Sequence, residues 1–123
     1  MAIKTILVED NPQIRASLIP AMQDLASLEI LAVAETQLEA CLAMQRFALE
    51  WQLIVIDMFL REGSGIGVLR DCSQRRPDQV AIVLTNYPTN EIRSRCAALG
   101  ADGVFDKSME LEAFFERCSA IGS

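Results

Sequence analysis

The chain has 123 residues, 51% of them hydrophobic and 23% charged, which suits one domain with a buried core. Its formal net charge of −6 argues against direct binding to nucleic acid, because phosphate contacts need a basic surface. No apolar run approaches the roughly 20 residues of a membrane-spanning helix. The first residues enter a strand pattern at once, so we expect neither a signal peptide nor membrane association.

Histidine is absent from the sequence, which excludes His-based catalytic triads and most zinc sites. The cysteines are widely spaced, contain no C-x-x-C pair and fall at apolar positions of predicted helices: Cys41, Cys72, Cys96 and Cys118. We therefore expect buried free thiols in a reducing cytoplasm rather than a redox or metal site.

Strand and helix patterns alternate along the whole chain. Short runs rich in β-branched residues predict strands at 3–8, 29–34, 53–57, 80–84 and 103–106. Helices are predicted from Pro12 after the N-cap Asn11, from the capping box at 36–39 to about 49, at 64–76, at 90–99, and after a Ser108 cap. Five such βα units predict an α/β domain in three layers, with a parallel sheet covered by helices on both faces.

Polar side chains stand where four of these strands end. Glu9 and Asp10 follow the first strand, Asp57 ends the third, Thr85 the fourth, and Lys107 follows the fifth. Parallel strands place their carboxyl ends at one edge of the sheet, where ligands bind in open α/β folds. We therefore expect three carboxylates, a hydroxyl and an ammonium group in one crevice.

Three clustered carboxylates repel one another, so they need a cation unless one stays protonated. Oxygen ligands without histidine favour Mg²⁺. A phosphoryl group needs positive and hydrogen-bond-donating partners, which Mg²⁺, Lys107 and the Thr85 hydroxyl would supply. Asp57 is the candidate nucleophile, because it lies centrally in the sheet and is alone on its strand.

Together these motifs resemble the receiver domain of bacterial two-component response regulators. The matching residues are the acidic pair Glu9-Asp10, then Asp57 with its loop to Gly65, Thr85, and Lys107 in Phe105-Asp106-Lys107-Ser108. The resemblance covers essentially the whole chain. It implies a flavodoxin-like doubly wound fold with sheet order 2-1-3-4-5.

The resemblance also implies a role for each matching residue. Asp57 would accept the phosphoryl group. Asp10 would bind Mg²⁺ directly, Glu9 through water, and Asp57 and the backbone carbonyl of Phe59 would complete the protein ligands. The donor would be a histidine kinase or a histidine phosphotransfer protein.

Two further residues would respond to the phosphoryl group in this resemblance. Thr85 would move its hydroxyl toward it, and Lys107 would pair with Asp57 and then with the phosphoryl oxygens. Val104 stands where the family usually has an aromatic residue that reports phosphorylation, and Tyr87 is another aromatic that could respond. We also hypothesise that the Phe59 and Tyr87 rings hinder the hydrolytic water and prolong the phosphorylated state; a role as surface or partner-contact aromatics is the alternative.

We expect a cytoplasmic response regulator in which residues 1–123 form a single receiver domain without an output domain. Such a protein would pass its signal to an unknown partner protein. It would not be an enzyme, beyond catalysing its own phosphorylation and dephosphorylation, although a phosphate sink or relay stays open. One alternative is a receiver-like interaction module that is never phosphorylated. A haloacid-dehalogenase-type phosphotransferase is disfavoured, because Phe59 stands where that class has a second acid.

The chain could also be part of a longer protein. The charged residues of the last two helices could form a dimer or partner surface, but solvated faces are the preferred interpretation: Arg93, Arg95, Glu110, Glu112 and Glu116.

Overall fold

The computed structural model describes residues 2–121, in which strands and helices alternate from end to end. The strands are β1 Ile3–Val8, β2 Leu28–Ala34, β3 Leu53–Ile56, β4 Val80–Thr85 and β5 Gly103–Asp106. The helices are α1 Pro12–Ala26, α2 Gln37–Arg46, α3 Gly65–Asp71, α4 Asn90–Ala98 and α5 Leu111–Ser119. The predicted βα alternation is therefore confirmed.

All strand pairs are parallel, and the sheet order is β2-β1-β3-β4-β5. This confirms the flavodoxin-like topology expected from the resemblance. The central strand β3 lies between β1 and β4, and all four of its residues are buried. Its unbroken apolar sequence follows from helices covering both faces of a parallel sheet.

The two faces of the sheet carry separate apolar clusters. Buried residues of α1 and α5, such as Met22 and Phe114, pack on one face. Buried residues from α2, α3 and α4, such as Ala40, Val68 and Cys96, pack on the other. Both clusters draw alternate residues from the same strands, which is the period-2 pattern of a pleated sheet.

Several predicted helix boundaries are wrong, and the reasons are local. α2 ends at Arg46 instead of near 49, and residues 47–50 form a turn rather than further helix. α3 ends at Asp71 instead of 76, because the Arg75 side chain donates to the carbonyls of Cys72 and Gln79. These side-chain bonds satisfy carbonyls at the helix end and in the following loop without further helical turns.

Ser108 does not cap α5, contrary to prediction. The turn before α5 is closed by Asp106, whose Oδ1 accepts hydrogen bonds from the backbone N–H groups of Ser108 at 2.7 Å and Met109 at 3.2 Å. The helix begins later, with Glu110 at its N-cap and no side-chain capping bond. A preceding aspartate therefore binds the N–H groups that a helix beginning at Ser108 would have used.

All four cysteines are free thiols, as predicted. Cys72, Cys96 and Cys118 are buried, whereas Cys41 is only half-buried, so its predicted burial is wrong. Within residues 2–121 no helix combines the length and the apolar character needed to cross a membrane.

Gly65 is the point where α3 packs most closely against the end of β3. Its backbone N–H donates to the Met58 carbonyl at 2.9 Å. A Cβ at this position would lie 2.5 Å from the Asp57 carbonyl oxygen and 2.7 Å from the Met58 Cα. The start of α3 can therefore reach the backbone that carries Asp57 only because residue 65 has no side chain.

We expect Gly65→Ala to lower the free energy of unfolding by about 1–3 kcal/mol, because backbone must move to relieve the contact. Gly67→Ala is the matched control, since the three atoms nearest to its Cβ would belong to the movable side-chain end of Gln37 and alanine favours a helix. Urea denaturation of both variants measures the difference. Equal losses would show that the close approach at Gly65 is not a constraint.

Candidate functional site

Asp57 lies directly after β3, at the carboxyl edge of the sheet. Its side chain is buried, with 8% of the residue exposed, and its backbone N–H donates to the Val8 carbonyl at 2.9 Å. That bond ties the first residue after β3 to the end of β1. The Asp57 carboxylate is therefore held beside the acidic pair Glu9-Asp10, which follows β1.

Lys107 brings the two buried carboxylates of the site together. Its Nζ lies 2.5 Å from Glu9 Oε1 and 3.2 Å from Asp57 Oδ1. The lysine and aspartate side chains are each 10% exposed and that of Glu9 is 2% exposed. The buried ammonium group of Lys107 therefore offsets part of the charge of two buried carboxylates. The three side chains lie together, as expected from their positions at the strand ends.

Glu9, Asp10 and Asp57 each offer a carboxylate oxygen, and these oxygens lie within 4.8 Å of one another. Asp10 is half-buried, while the other two are buried. The backbone N–H of Asn11 donates to Glu9 Oε2 at 3.2 Å and orients that carboxylate. A cluster made only of carboxylate oxygens fits a hard divalent cation such as Mg²⁺.

Burial and, second to it, the nearby negative charge of Glu9 raise the pKa of Asp57 from 3.8 to about 6, although Lys107 acts in the opposite direction. Desolvation disfavours the charged form of a carboxyl group, and a neighbouring like charge does the same. Near pH 7 the carboxylate is still mainly ionised, but it is held in that form less firmly than a solvated aspartate.

Thr85 is fully buried at the end of β4, the strand next to β3. Its Oγ1 accepts a hydrogen bond from the Tyr87 N–H at 3.1 Å, and its carbonyl accepts one from the Lys107 N–H at 2.9 Å. Thr85 is thus bonded both to the loop that follows it and to the backbone of the site lysine.

The rings of Phe59 and Tyr87 contact each other edge to face, with centroids 5.3 Å apart and planes at 86°. They are largely exposed, at 56% and 62% respectively. Phe59 follows Asp57 by two positions and Tyr87 follows Thr85 by two, so the pair stands next to both site residues. The sequence points to both rings as neighbours of the site, but it does not predict that they contact each other.

Arg15 is a site neighbour that sequence analysis missed. Its Nη1 donates to the Glu9 carbonyl at 2.8 Å and to Glu35 Oε2 at 3.0 Å. Arg61 in the loop after Asp57 reaches Glu35 at 3.9 Å and Glu39 at 3.7 Å. The sequence gives little indication of these contacts. The Glu9 acceptor is a backbone carbonyl, and the acidic partners Glu35 and Glu39 lie in a different βα unit from each arginine.

Arg93 and Glu110, which were predicted to lie on solvated faces, are partly exposed and form an ion pair with each other. Arg93 Nη2 lies 2.8 Å from Glu110 Oε1, and both side chains are only 39% exposed. Arg95, Glu112 and Glu116 are exposed, as expected.

Residues 5–119 match the family described as the response regulator receiver domain. A curated relative is the DNA-binding transcriptional activator DevR/DosR of Mycobacterium tuberculosis, 28% identical over 108 residues. That match covers 88% of this chain and 49% of the relative, so the chain spans about half the length of that protein.

Solved structures share the fold at low sequence identity. A LuxR-family DNA-binding response regulator from Staphylococcus aureus aligns with a TM-score of 0.86 at 16% identity, covering 98% of this chain and 99% of that one. The CheX-CheY-BeF3-Mg+2 complex from Borrelia burgdorferi gives 0.85 at 13% identity, covering 98% and 90%. With the match over residues 5–119, this chain belongs to the family of response regulator receiver domains.

Proposed function

We propose that the chain accepts a phosphoryl group on Asp57 from a phosphohistidine of a histidine kinase or phosphotransfer protein, and that this changes a protein-binding surface. The observation that carries the proposal is the contact of one buried ammonium group, Lys107, with the carboxylates of Glu9 and Asp57. Family membership supports the same role.

In the proposed transfer, an Asp57 carboxylate oxygen attacks phosphorus, the new O–P bond forms, and the N–P bond of the donor breaks. The electron pair leaves with the imidazole of the donor, which takes up a proton. Lys107 stays within reach of Asp57 and neutralises charge on the oxygens of the transferred group. The buried Thr85 hydroxyl can donate a hydrogen bond to them, because its existing bond from Tyr87 uses only its oxygen.

The carboxylates fit Mg²⁺, because hard oxygen donors are clustered and the sequence has no histidine. Asp10, Glu9 and Asp57 would hold the ion with the backbone carbonyl of Phe59, as the resemblance implies. The ion would supply positive charge to the phosphoryl oxygens during transfer. A cation would also relieve the repulsion between Asp57 and Glu9 that contributes to the raised Asp57 pKa.

A phosphoryl group would add about −1.5 to −2 charge at this edge of the sheet. We propose that residues 1–123 act as one receiver domain, without catalytic activity beyond their own phosphorylation and dephosphorylation, and that the signal passes to a separate protein. DevR/DosR is a DNA-binding activator about twice as long as its match here, so a receiver within a longer DNA-binding protein is the runner-up arrangement. An unphosphorylated interaction module is the alternative function.

Incubation with acetyl phosphate and Mg²⁺ is expected to add one phosphoryl group to the wild-type chain, measured by intact-protein mass. Asp57→Asn and chelation of Mg²⁺ should each abolish the adduct, because they remove the nucleophile and the charge-neutralising ion. Asp78→Asn, at an exposed aspartate, is the control and should label normally. No adduct in the wild type, where another receiver domain is labelled, would favour the unphosphorylated module.

Asp57→Asn is also expected to stabilise the fold near neutral pH. The raised pKa means that the folded chain binds the Asp57 proton more tightly than the unfolded chain. That stabilisation is complete below the unfolded pKa of 3.8 and is lost as pH rises through about 6. We therefore expect a gain of about 1–3 kcal/mol at pH 7.5 that shrinks toward pH 4.

Urea denaturation at both pH values measures this gain, with the exposed Asp24→Asn as control. Added Mg²⁺ should stabilise the wild type more than Asp57→Asn, since it relieves the repulsion that the variant lacks. A variant less stable than the wild type at pH 7.5 would contradict the view that ionised Asp57 destabilises the fold.

We propose further that the Phe59–Tyr87 ring pair slows hydrolysis of the acyl phosphate by limiting the approach of water. Replacing both rings, as in Phe59→Asn with Tyr87→Glu, should shorten the half-life of the phosphorylated chain about tenfold, which corresponds to about 1.4 kcal/mol in the barrier. Tyr87→Phe keeps the ring pair and serves as control. Decay followed by intact mass at equal rates in all three proteins would exclude this role.

A further inference from the structure

Arg93 binds three different segments through its one guanidinium group. Its Nε donates to the Pro88 carbonyl at 3.1 Å, its Nη1 to the Val104 carbonyl at 2.7 Å, and its Nη2 to Glu110 Oε1 at 2.8 Å. The planar guanidinium fixes the directions of these bonds relative to one another. All three acceptors must therefore stay in place together for the set to form.

The Pro88 contact leads back to Thr85. Residues 86–89 form the loop between β4 and α4, and the Tyr87 N–H in this loop donates to Thr85 Oγ1 at 3.1 Å. If the Thr85 hydroxyl turns toward a phosphoryl group on Asp57, its bond with Tyr87 must lengthen or the loop must follow. Either change alters the position of the Pro88 carbonyl relative to Arg93.

The Glu110 contact leads back to Lys107. Glu110 Oε1 accepts a second hydrogen bond, from the Asp106 N–H at 3.0 Å, and Asp106 immediately precedes Lys107. The hydrogen bond from Arg93 lowers the pKa of Glu110, with the Asp106 N–H acting in the same direction. Glu110 Oε1 thus connects the N-cap of α5 to the turn that carries Lys107.

We propose that Arg93 is a positioning residue of the phosphorylation response: it links the loop that follows Thr85 to the turn that carries Lys107, and passes their displacement to α4 and α5. This inference rests on the proposed function. Hydrogen bonds weaken steeply with misalignment, so small movements of either segment change the bonding of Arg93.

Val104 is consistent with a connection through Arg93. The Val104 side chain packs into the apolar cluster below α2, α3 and α4, while its backbone carbonyl binds Arg93. A connection through the guanidinium group does not need an aromatic side chain at 104. Arg93 thus offers a specific route from the site to α4 and α5 in a chain that lacks that ring.

The inference can be tested by backbone amide NMR of the full chain, with and without beryllium fluoride and Mg²⁺. In the wild type, loading should shift the amide signals near Asp57 and Thr85 and also those of Asp106 and residues 111–114. In Arg93→Gln the signals near Asp57 and Lys107 should still shift, whereas the shifts at residues 111–114 should fall about threefold or more. Arg95→Gln, an exposed arginine on the same helix, should behave like the wild type.

A purely structural role would weaken the fold of Arg93→Gln but leave the α5 shifts of its folded fraction as large as in the wild type, and that result would overturn the inference. If the signals near Asp57 do not shift in the wild type, the proposed function fails and the inference fails with it. If Arg93→Gln does not fold, Glu110→Ala removes the same contact from the other side, and undiminished shifts at 111–114 would overturn the inference.

The affinity for beryllium fluoride gives an independent readout. Coupling between two sites is reciprocal, so loss of Arg93 must change this affinity if its bonds differ between the loaded and unloaded chain. We expect a change of about threefold or more relative to Arg95→Gln. Arg93→Lys keeps a positive charge for Glu110 but cannot bind both carbonyls, so an affinity between those of the wild type and Arg93→Gln would support the assignment. An unchanged affinity in Arg93→Gln would overturn it.

Discussion

The structure depends on one buried ammonium group between two buried carboxylates. Lys107 follows β5, at one edge of the sheet, yet its Nζ contacts Glu9 at the end of β1, beyond both β4 and β3. The long lysine side chain and the parallel register that aligns the strand ends together bring its Nζ within reach of Asp57 as well. Two further features hold Asp57 in this position: the close packing of Gly65 on its backbone and the burial of the apolar strand β3 that precedes it.

This arrangement leaves a surplus of negative charge in a desolvated place. Asp10 adds a third carboxylate to the group, and one lysine cannot neutralise all three. Desolvation is the largest cause of the raised pKa of Asp57, and the negative charge of Glu9 adds to it. A nearby cation would stabilise this arrangement, because a carboxylate poorly stabilised by the fold gains from positive charge.

Much of this site was predictable because its residues follow short, strongly patterned strands. Lys107 and Asp57 could be placed at one edge from the βα alternation alone. Predictions failed where a side chain binds a backbone carbonyl or competes for the same N–H groups. Arg75 and Arg93 bind carbonyls, which have no residue-specific signature, and Asp106 rather than Ser108 binds the N–H groups before α5. Such contacts depend on tertiary approach, which local sequence patterns do not contain.

The same distinction bears on how a receiver domain transmits its signal. Apolar side chains tolerate small displacements, because dispersion contacts are individually weak and non-directional. A guanidinium group with acceptors on the β4–α4 loop, on β5 and at the N-cap of α5 tolerates them poorly, since each bond has a preferred direction. Arg93 is therefore suited to convert small movements at Thr85 and Lys107 into a change of hydrogen-bond partners. In this chain the sensitivity of the α4 and α5 face would come from directional polar contacts, whereas the core beneath it stays packed.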